Sequence, residues 1–144
     1  ESKGFFHTTL KEIDFILEGG SIETDGQSTL LTSEICLLNP NRNKHLSKQQ
    51  IEEELIKQLN VERVLWLKHG HLAGDDTDAH IDTLARFVDE QTIVFQGCTD
   101  INDEHFVSLN KMKDELSFLK TKHHFYFFER HTKSQIRICE NLFL

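Results

Sequence analysis

The period of apolar positions changes several times along the chain, and each change predicts an element. Glu12 to Leu17 (Glu-Ile-Asp-Phe-Ile-Leu) alternates polar and apolar, which predicts a strand stopped by Gly19-Gly20. Ser21 to Thr24 reads as a second short strand, and Thr24-Asp25-Gly26-Gln27 carries the Asp-Gly signal of a hairpin turn. Ser28 to Thr32 and Glu34 to Leu38 read as strand segments, closed by a loop around Pro40 and its flanking asparagines. Ser47-Lys48-Gln49-Gln50 is a capping-box pattern, with Ser as N-cap and Gln three residues later. Ile51, Leu55 and Leu59 follow at intervals of four, widened by Ile56, and predict an amphipathic helix from about Lys48 to Leu59. Arg63 to Lys68 is nearly all apolar and predicts a central strand. His80 to Val88 and Thr92 to Gln96 predict a strand pair around Asp89-Glu90-Gln91. Phe106, Leu109, Met112, Leu116 and Leu119 fall at helical spacing and predict a second helix from about Asp103 to Lys120, with a strand to follow. Strands and helices in this order define an α/β chain.

The stretch Gly74 to Asp82 interrupts the pattern with four carboxylates and one imidazole in nine residues. Ionised carboxylates are costly to bury without partners, so this is an acidic loop. If its end is a strand, His80 and Asp82 project from one face. An imidazole beside a carboxylate suits proton transfer near a cationic substrate. A merely solvated acidic loop accounts for the same composition. Asp76, Asp78 and His80 alternate like the opening of a calcium loop, but the sixth position lacks glycine and Phe87 stands at the twelfth, where a bidentate Glu is needed.

Four segments occur in order: Glu18-Gly19-Gly20-Ser21-Ile22-Glu23, Asn39-Pro40-Asn41-Arg42-Asn43, Gly74-Asp75-Asp76-Thr77-Asp78 followed by His80-Ile81-Asp82, and Ala85-Arg86-Phe87. Together they resemble the agmatine deiminase and bacterial (Porphyromonas-type) peptidylarginine deiminase family of the guanidine-modifying superfamily, from roughly Phe15 to about Lys120. Ala79 departs from the family's usual glycine. The resemblance implies a partial pentein-type α/β propeller, about two of five αβ modules around a central channel. It implies a hydrolase that turns agmatine and water into N-carbamoylputrescine and ammonia on the way to putrescine, with peptidyl-arginine as the rival substrate and no cofactor. Asp82 would hold the guanidinium, His80 would act as general acid and then base, Glu18 would orient His80, and Asp76 would face the substrate pocket. Asn39, Arg42 and Arg86 are read as structural.

The resemblance also implies a second guanidinium-holding aspartate ahead of residue 1 and a nucleophilic cysteine in a Gly-rich stretch that is not found here. Cys36 sits in the apolar run Ile35 to Leu38 and reads as a core residue. Cys98 reads as the most exposed of the three cysteines, and Cys139 lies in the tail. None matches the nucleophile motif. An alternative is therefore a catalytically inactive fragment that binds a cationic ligand or a protein partner. Sheet edges left open by missing modules predict homo-oligomerisation or segment exchange.

Charge narrows the classes further. The chain has 144 residues with 16 Lys and Arg against 24 Asp and Glu, a net charge of −8. That disfavours nucleic acid, whose binding rests on neutralised phosphates, and suits a small guanidine cation such as agmatine. Three widely spaced cysteines form neither a zinc pattern nor a disulfide framework, and no apolar run is long enough for a membrane span, so a cytoplasmic protein with reduced thiols is expected. Residues 1–121 read as deiminase-like αβ modules and 122–144 as an atypical His- and Phe-rich tail, expected to be sequence foreign to the family. His123, His124 and His131 in that tail are capable of adventitious metal binding.

Overall fold

The computed structural model describes residues 11–123, 126–131 and 135–138. Two sheets are built on one plan. In the first, β1 (Ile22–Thr24) pairs antiparallel with β2 (Thr29–Ser33), and β2 pairs in parallel with β3 (Arg63–Leu67). A parallel neighbour requires a crossover, which runs through the one-turn helix α1 (Glu34–Leu37) and helix α2 (Lys48–Leu59). A second one-turn helix, α3 (Ile81–Leu84), leads into the second sheet. There β4 (Ala85–Asp89) pairs antiparallel with β5 (Thr92–Gly97), helix α4 (Phe106–His123) crosses over, and β6 (Tyr126–His131) pairs in parallel with β5. β7 (Gln135–Ile138) adds antiparallel to β6. Hairpin, helix and parallel strand thus occur twice, although the residues themselves show no repeat.

The core follows from the pleat of β2. Successive strand side chains point to opposite faces, so Leu30 and Leu31 enter different clusters. Leu30 packs with Cys36, Leu37, Ile51, Leu55 and Val64, against α2. Leu31 packs with Leu65, Leu67, Ile81, Ile93, Phe95, Leu109, Met112 and Leu116, which belong to β3, α3, β5 and α4. One sheet therefore separates two apolar layers and is buried on both faces. Arg86 on β4 pairs with Glu23 on β1 (2.6 Å), and Glu23 also accepts the Phe87 N–H (3.0 Å), which ties the two units together. No helix among the described residues is long and apolar enough to cross a membrane.

Several expected elements form as read. The Ser47 capping box is closed in both directions, with Gln50 N–H donating to Ser47 Oγ (3.3 Å) and Ser47 N–H donating to Gln50 Oε1 (2.8 Å). The helical stripe is buried at Leu109, Met112 and Leu116, and the strand expected after α4 is β6, held by an ion pair between Lys113 and the buried Glu129 (2.6 Å). The tail residues 126–131 and 135–138 thus contribute strands to the second sheet. Cys139, His124 and the side chains of His123 and His131 lie outside the described residues.

Other expectations are corrected. β3 is an edge strand of its described sheet, because β2 takes the centre. Glu34 to Leu38 is not a strand. Ser33 Oγ accepts the Cys36 N–H and caps a helical turn instead; a short apolar run carries no period to tell the two apart. His80 to Leu84 is not strand either, since His80 is the N-cap residue of α3 and the strand begins at Ala85. Glu12 to Leu17 has no strand partner among the described residues. Its ladder is replaced by one side chain: Asn43 Oδ1 accepts the Ile16 N–H (2.9 Å) and Asn43 Nδ2 donates to the Ile16 carbonyl (2.9 Å).

Asn43 is only 3% exposed. Asn43→Ala would leave two backbone groups unpaired, each costing about 1–3 kcal/mol. The expected result is a loss of about 2 kcal/mol in urea unfolding with an unchanged slope; a loss below about 0.5 kcal/mol would contradict the assignment.

Candidate active site

Glu18 ends the extended entry segment and precedes a 3-10 turn, Gly19–Ser21. Ser21 is fully buried and pins that turn. Its N–H and hydroxyl both donate to the Glu18 carbonyl (3.0 and 2.6 Å), and its own carbonyl accepts from Thr32 (2.7 Å). Gly20 in the middle of the turn has no room for a side chain. A Cβ there would sit 2.5 Å from His80 Nδ1 and 2.8 Å from Asp82 Oδ2. The Glu-Gly-Gly sequence therefore lets His80 and Asp82 close over the backbone of the turn that carries Glu18.

His80 and Asp82 reach this point from α3, not from a strand. His80 is extended (φ −54°, ψ 136°) and Asp82 lies in the first helical turn. The loop before them is anchored on α4 and its approach. Gly70 N–H donates to Ser108 Oγ (3.3 Å), Ala73 N–H donates to His105 Nε2 (2.8 Å), and Glu115 accepts the Lys68 and His69 N–H groups (2.9 and 3.3 Å). Two non-glycine residues at its end, Asp78 (φ 59°) and Ala79 (φ 61°), adopt left-handed backbone. A glycine would take the second of these conformations without the cost that a Cβ brings.

His80 Nε2 lies 2.7 Å from Glu18 Oε2. The Glu18 carboxyl is held below its ordinary 4.5, first by this hydrogen bond and next by bonds from Arg42. A carboxylate only accepts, so Nε2 carries the proton and Nδ1, the nitrogen on the Asp82 side, is the one left for proton exchange.

Arg42, read from sequence as structural, is the hub of the arrangement. Its side chain is 6% exposed. Nε and one terminal nitrogen donate to Glu18 Oε2 (2.9 and 2.6 Å), and the rest of the guanidinium reaches Asp78 Oδ2 (3.1 Å) and the Thr77 and Cys36 carbonyls (3.2 Å each). All five donors are used. The sequence marks Asp78 only as part of the acidic loop, and nothing local marks it or the Cys36 carbonyl as a partner of Arg42. Asp76 is exposed on the loop and makes no hydrogen bond to Glu18, His80 or Asp82.

The depressed Glu18 carboxyl gives a pH dependence with a defined sign. Its pKa is lower folded than unfolded, so its contribution to stability is present above 4.5 and is lost as the pH falls through the lowered value. The stability difference between the wild type and Glu18→Gln is therefore expected to be constant above about pH 5.5 and to shrink with acidification. Urea midpoints measured across that range check it.

Neither cysteine among the described residues is placed as a nucleophile. Cys36 is fully buried, and burial pushes its thiol up to about 11, so it is protonated at neutral pH. Cys98, expected to be the most exposed, is 6% exposed and directs its thiol at the Asp100 carbonyl. Its place at the end of β5 puts it in the second apolar layer. Cys36 Sγ nevertheless lies close to Glu18 and His80: one donor atom from each of the three falls within 4.8 Å of the others.

Comparison with known proteins identifies the family of the chain. A family model for Porphyromonas-type peptidyl-arginine deiminases matches residues 3–128. The agmatine deiminase of Stutzerimonas stutzeri is 47% identical over 92 residues, 64% of this chain and 25% of that protein. That of Medicago truncatula is 46% identical over 91 residues, 63% of this chain and 24% of that protein. A solved structure of a cysteine-to-serine variant of C. jejuni agmatine deiminase with substrate bound has a TM-score of 0.82 at 44% identity, over 95% of this chain and 42% of that chain. The chain belongs to the Porphyromonas-type peptidyl-arginine deiminase family. Its α/β fold is part of the fold of those deiminases, and it spans about a quarter to a third of the length of the curated relatives it matches.

Proposed function

We propose that this chain carries the proton-handling and guanidinium-holding half of an agmatine deiminase site. The observation that carries the reading is the Glu18–His80 bond with Asp82 Oδ2 beside the free imidazole nitrogen, all closed over Gly20. Agmatine carries a planar guanidinium cation, and a carboxylate holds a guanidinium through paired N–H donors, the role given to Asp82. A thiolate supplied from outside the described residues attacks the guanidinium carbon and forms a C–S bond. His80 gives a proton to the departing nitrogen, which leaves as ammonia and breaks the C–N bond. His80 then takes a proton from water as that water attacks the same carbon, the C–S bond breaks, and N-carbamoylputrescine leaves. Glu18 keeps the imidazole oriented through its bond to Nε2. Asp76, exposed on the same loop, is assigned to the substrate pocket. The agmatine reading is favoured over peptidyl-arginine by the names of the relatives above.

A second reading follows from the cysteines. With Cys36 protonated and Cys98 buried, the chain alone binds a guanidine cation without turning it over. One experiment addresses both. The corresponding segment of the C. jejuni deiminase is replaced by residues 11–120 of this chain, and ureido product is assayed. Turnover of agmatine is expected in the chimera, with a loss of about 10²- to 10⁴-fold on His80→Ala; the isolated chain is expected to give no product. A folded but inactive chimera, or an active one indifferent to His80, would overturn the proposal.

A further inference from the structure

Glu18, Cys36 and His80 bring a carboxylate, a thiol and an imidazole to one point. We propose that these three side chains form a binding site for a thiophilic divalent cation of the zinc class. A tetrahedral zinc ion places its N, O and S ligands about 3.3–3.6 Å apart, from bond lengths of about 2.0–2.3 Å. The three donors already lie within 4.8 Å of one another, so side-chain movements of about an ångström close the set. The mixed donor set suits zinc better than calcium or magnesium, which take oxygen ligands.

The surroundings favour a divalent cation. Cys36 has the carboxylates of Glu18, Asp78 and Asp75 around it against one guanidinium, Arg42. All three bonds that the Glu18 carboxylate accepts from the described residues fall on Oε2, and Oε1 accepts none of them. Asp75 Oδ2 is buried without a hydrogen-bond partner on the loop beside the cluster. Glu18 is 44% exposed and gives the ion a path from solvent to the buried thiol. Three protein ligands leave a fourth position for water.

Binding is an exchange of protons for metal. The Cys36 thiol gives up its proton to solvent as the S–metal bond forms. His80 binds as a neutral ring, and if Nε2 is the ligand its proton moves to Nδ1, on the side of Asp82. No electron transfer is involved. A metal here removes His80 from proton exchange. That consequence rests on the proposed function, whereas the binding itself does not.

The test uses this chain, with cobalt(II) as the spectroscopic probe and zinc for affinity. Expected is a near-ultraviolet thiolate-to-cobalt charge-transfer band that saturates at one ion per chain and is displaced by zinc. Cys36→Ser is expected to abolish the band and weaken zinc at least about tenfold, whereas Cys98→Ser and Cys139→Ser keep both. A site built on the tail histidines alone gives no such band. If Cys36→Ser fails to fold by circular dichroism, His80→Gln replaces it: it keeps the thiolate and is expected to weaken zinc at least about tenfold. No band in the wild type, a band that survives in Cys36→Ser, or unchanged zinc affinity in His80→Gln overturns the site. Agmatine turnover is not read, so failure of the proposed reaction leaves the outcome unaffected.

Discussion

Gly20→Ala is expected to leave the chain folded while dismantling its site. The new methyl would fall 2.5 Å from His80 Nδ1 and 2.8 Å from Asp82 Oδ2, closer than real Cβ contacts come, so one or both side chains must move. The atoms that give way are the ends of two site side chains, and the backbone of the turn can stay. Loss of stability is therefore expected to stay below about 1.5 kcal/mol. The function responds differently, because a displacement near 1 Å in a catalytic arrangement costs about a hundredfold. In the deiminase chimera, kcat/KM for agmatine is expected to fall about a hundredfold with an unchanged circular dichroism spectrum. Gly19→Ala is the internal control, since a Cβ there meets nothing within 4 Å. Equal kinetics for the two variants would contradict the steric account.

Arg42→Lys is expected to cost about 2–3 kcal/mol, although it keeps the charge. Arg42 joins the segment before β1, the end of α1 and the acidic loop through five donors in a fixed fork. An ammonium carries three donors on one atom and cannot span Glu18, Asp78 and two carbonyls together. The partner carboxylates are half exposed and re-solvate, which keeps the loss below that of a fully buried pair. Urea unfolding of Arg42→Lys beside Arg42→Ala measures it. The two are expected to agree within about 1 kcal/mol, and a lysine variant as stable as the wild type would show that charge alone suffices.

How legible was this in the chain? Helices α2 and α4 were, because a capping box and a stripe of Leu109, Met112 and Leu116 are local signals that tertiary packing reinforces. The hairpin at Asp25-Gly26 was legible for the same reason: Asp25 Oδ1 accepts the N–H groups of Gln27, Ser28 and Thr29 and fixes the turn within its own sequence. Two causes account for the elements that differ: a partner distant in sequence, and helical turns too short to show a period. Glu12 to Leu17 alternates like a strand, yet its partner is the Asn43 side chain, 27 residues away from Ile16. Glu34 to Leu37 and Ile81 to Leu84 are single helical turns too short to show a period. The neighbouring apolar pair Leu84-Ala85, both buried, was the one local sign against a strand starting at His80.

The site divides the same way. Resemblance brought Glu18, His80 and Asp82 forward, and the structure brings those three side chains together. The reason for the glycines beside Glu18 needed coordinates, because the space denied to a Cβ at Gly20 is taken by residues 60 and 62 positions on. Arg42 stood out in its Asn-rich loop, but its partners lie 24 and 36 residues away on either side. Cys36 was read correctly as a core residue, while its nearness to Glu18 and His80 could not be read from an apolar run.

In the proposed function His80, oriented by Glu18, sits beside a guanidinium held by Asp82. The most direct measurement is NMR of the His80 imidazole in this chain during titration with agmatine. The His80 ring signals are expected to shift and saturate, and Asp82→Asn is expected to remove the response while the chain stays folded. A His80 ring indifferent to agmatine, or one that responds equally in Asp82→Asn, would contradict it.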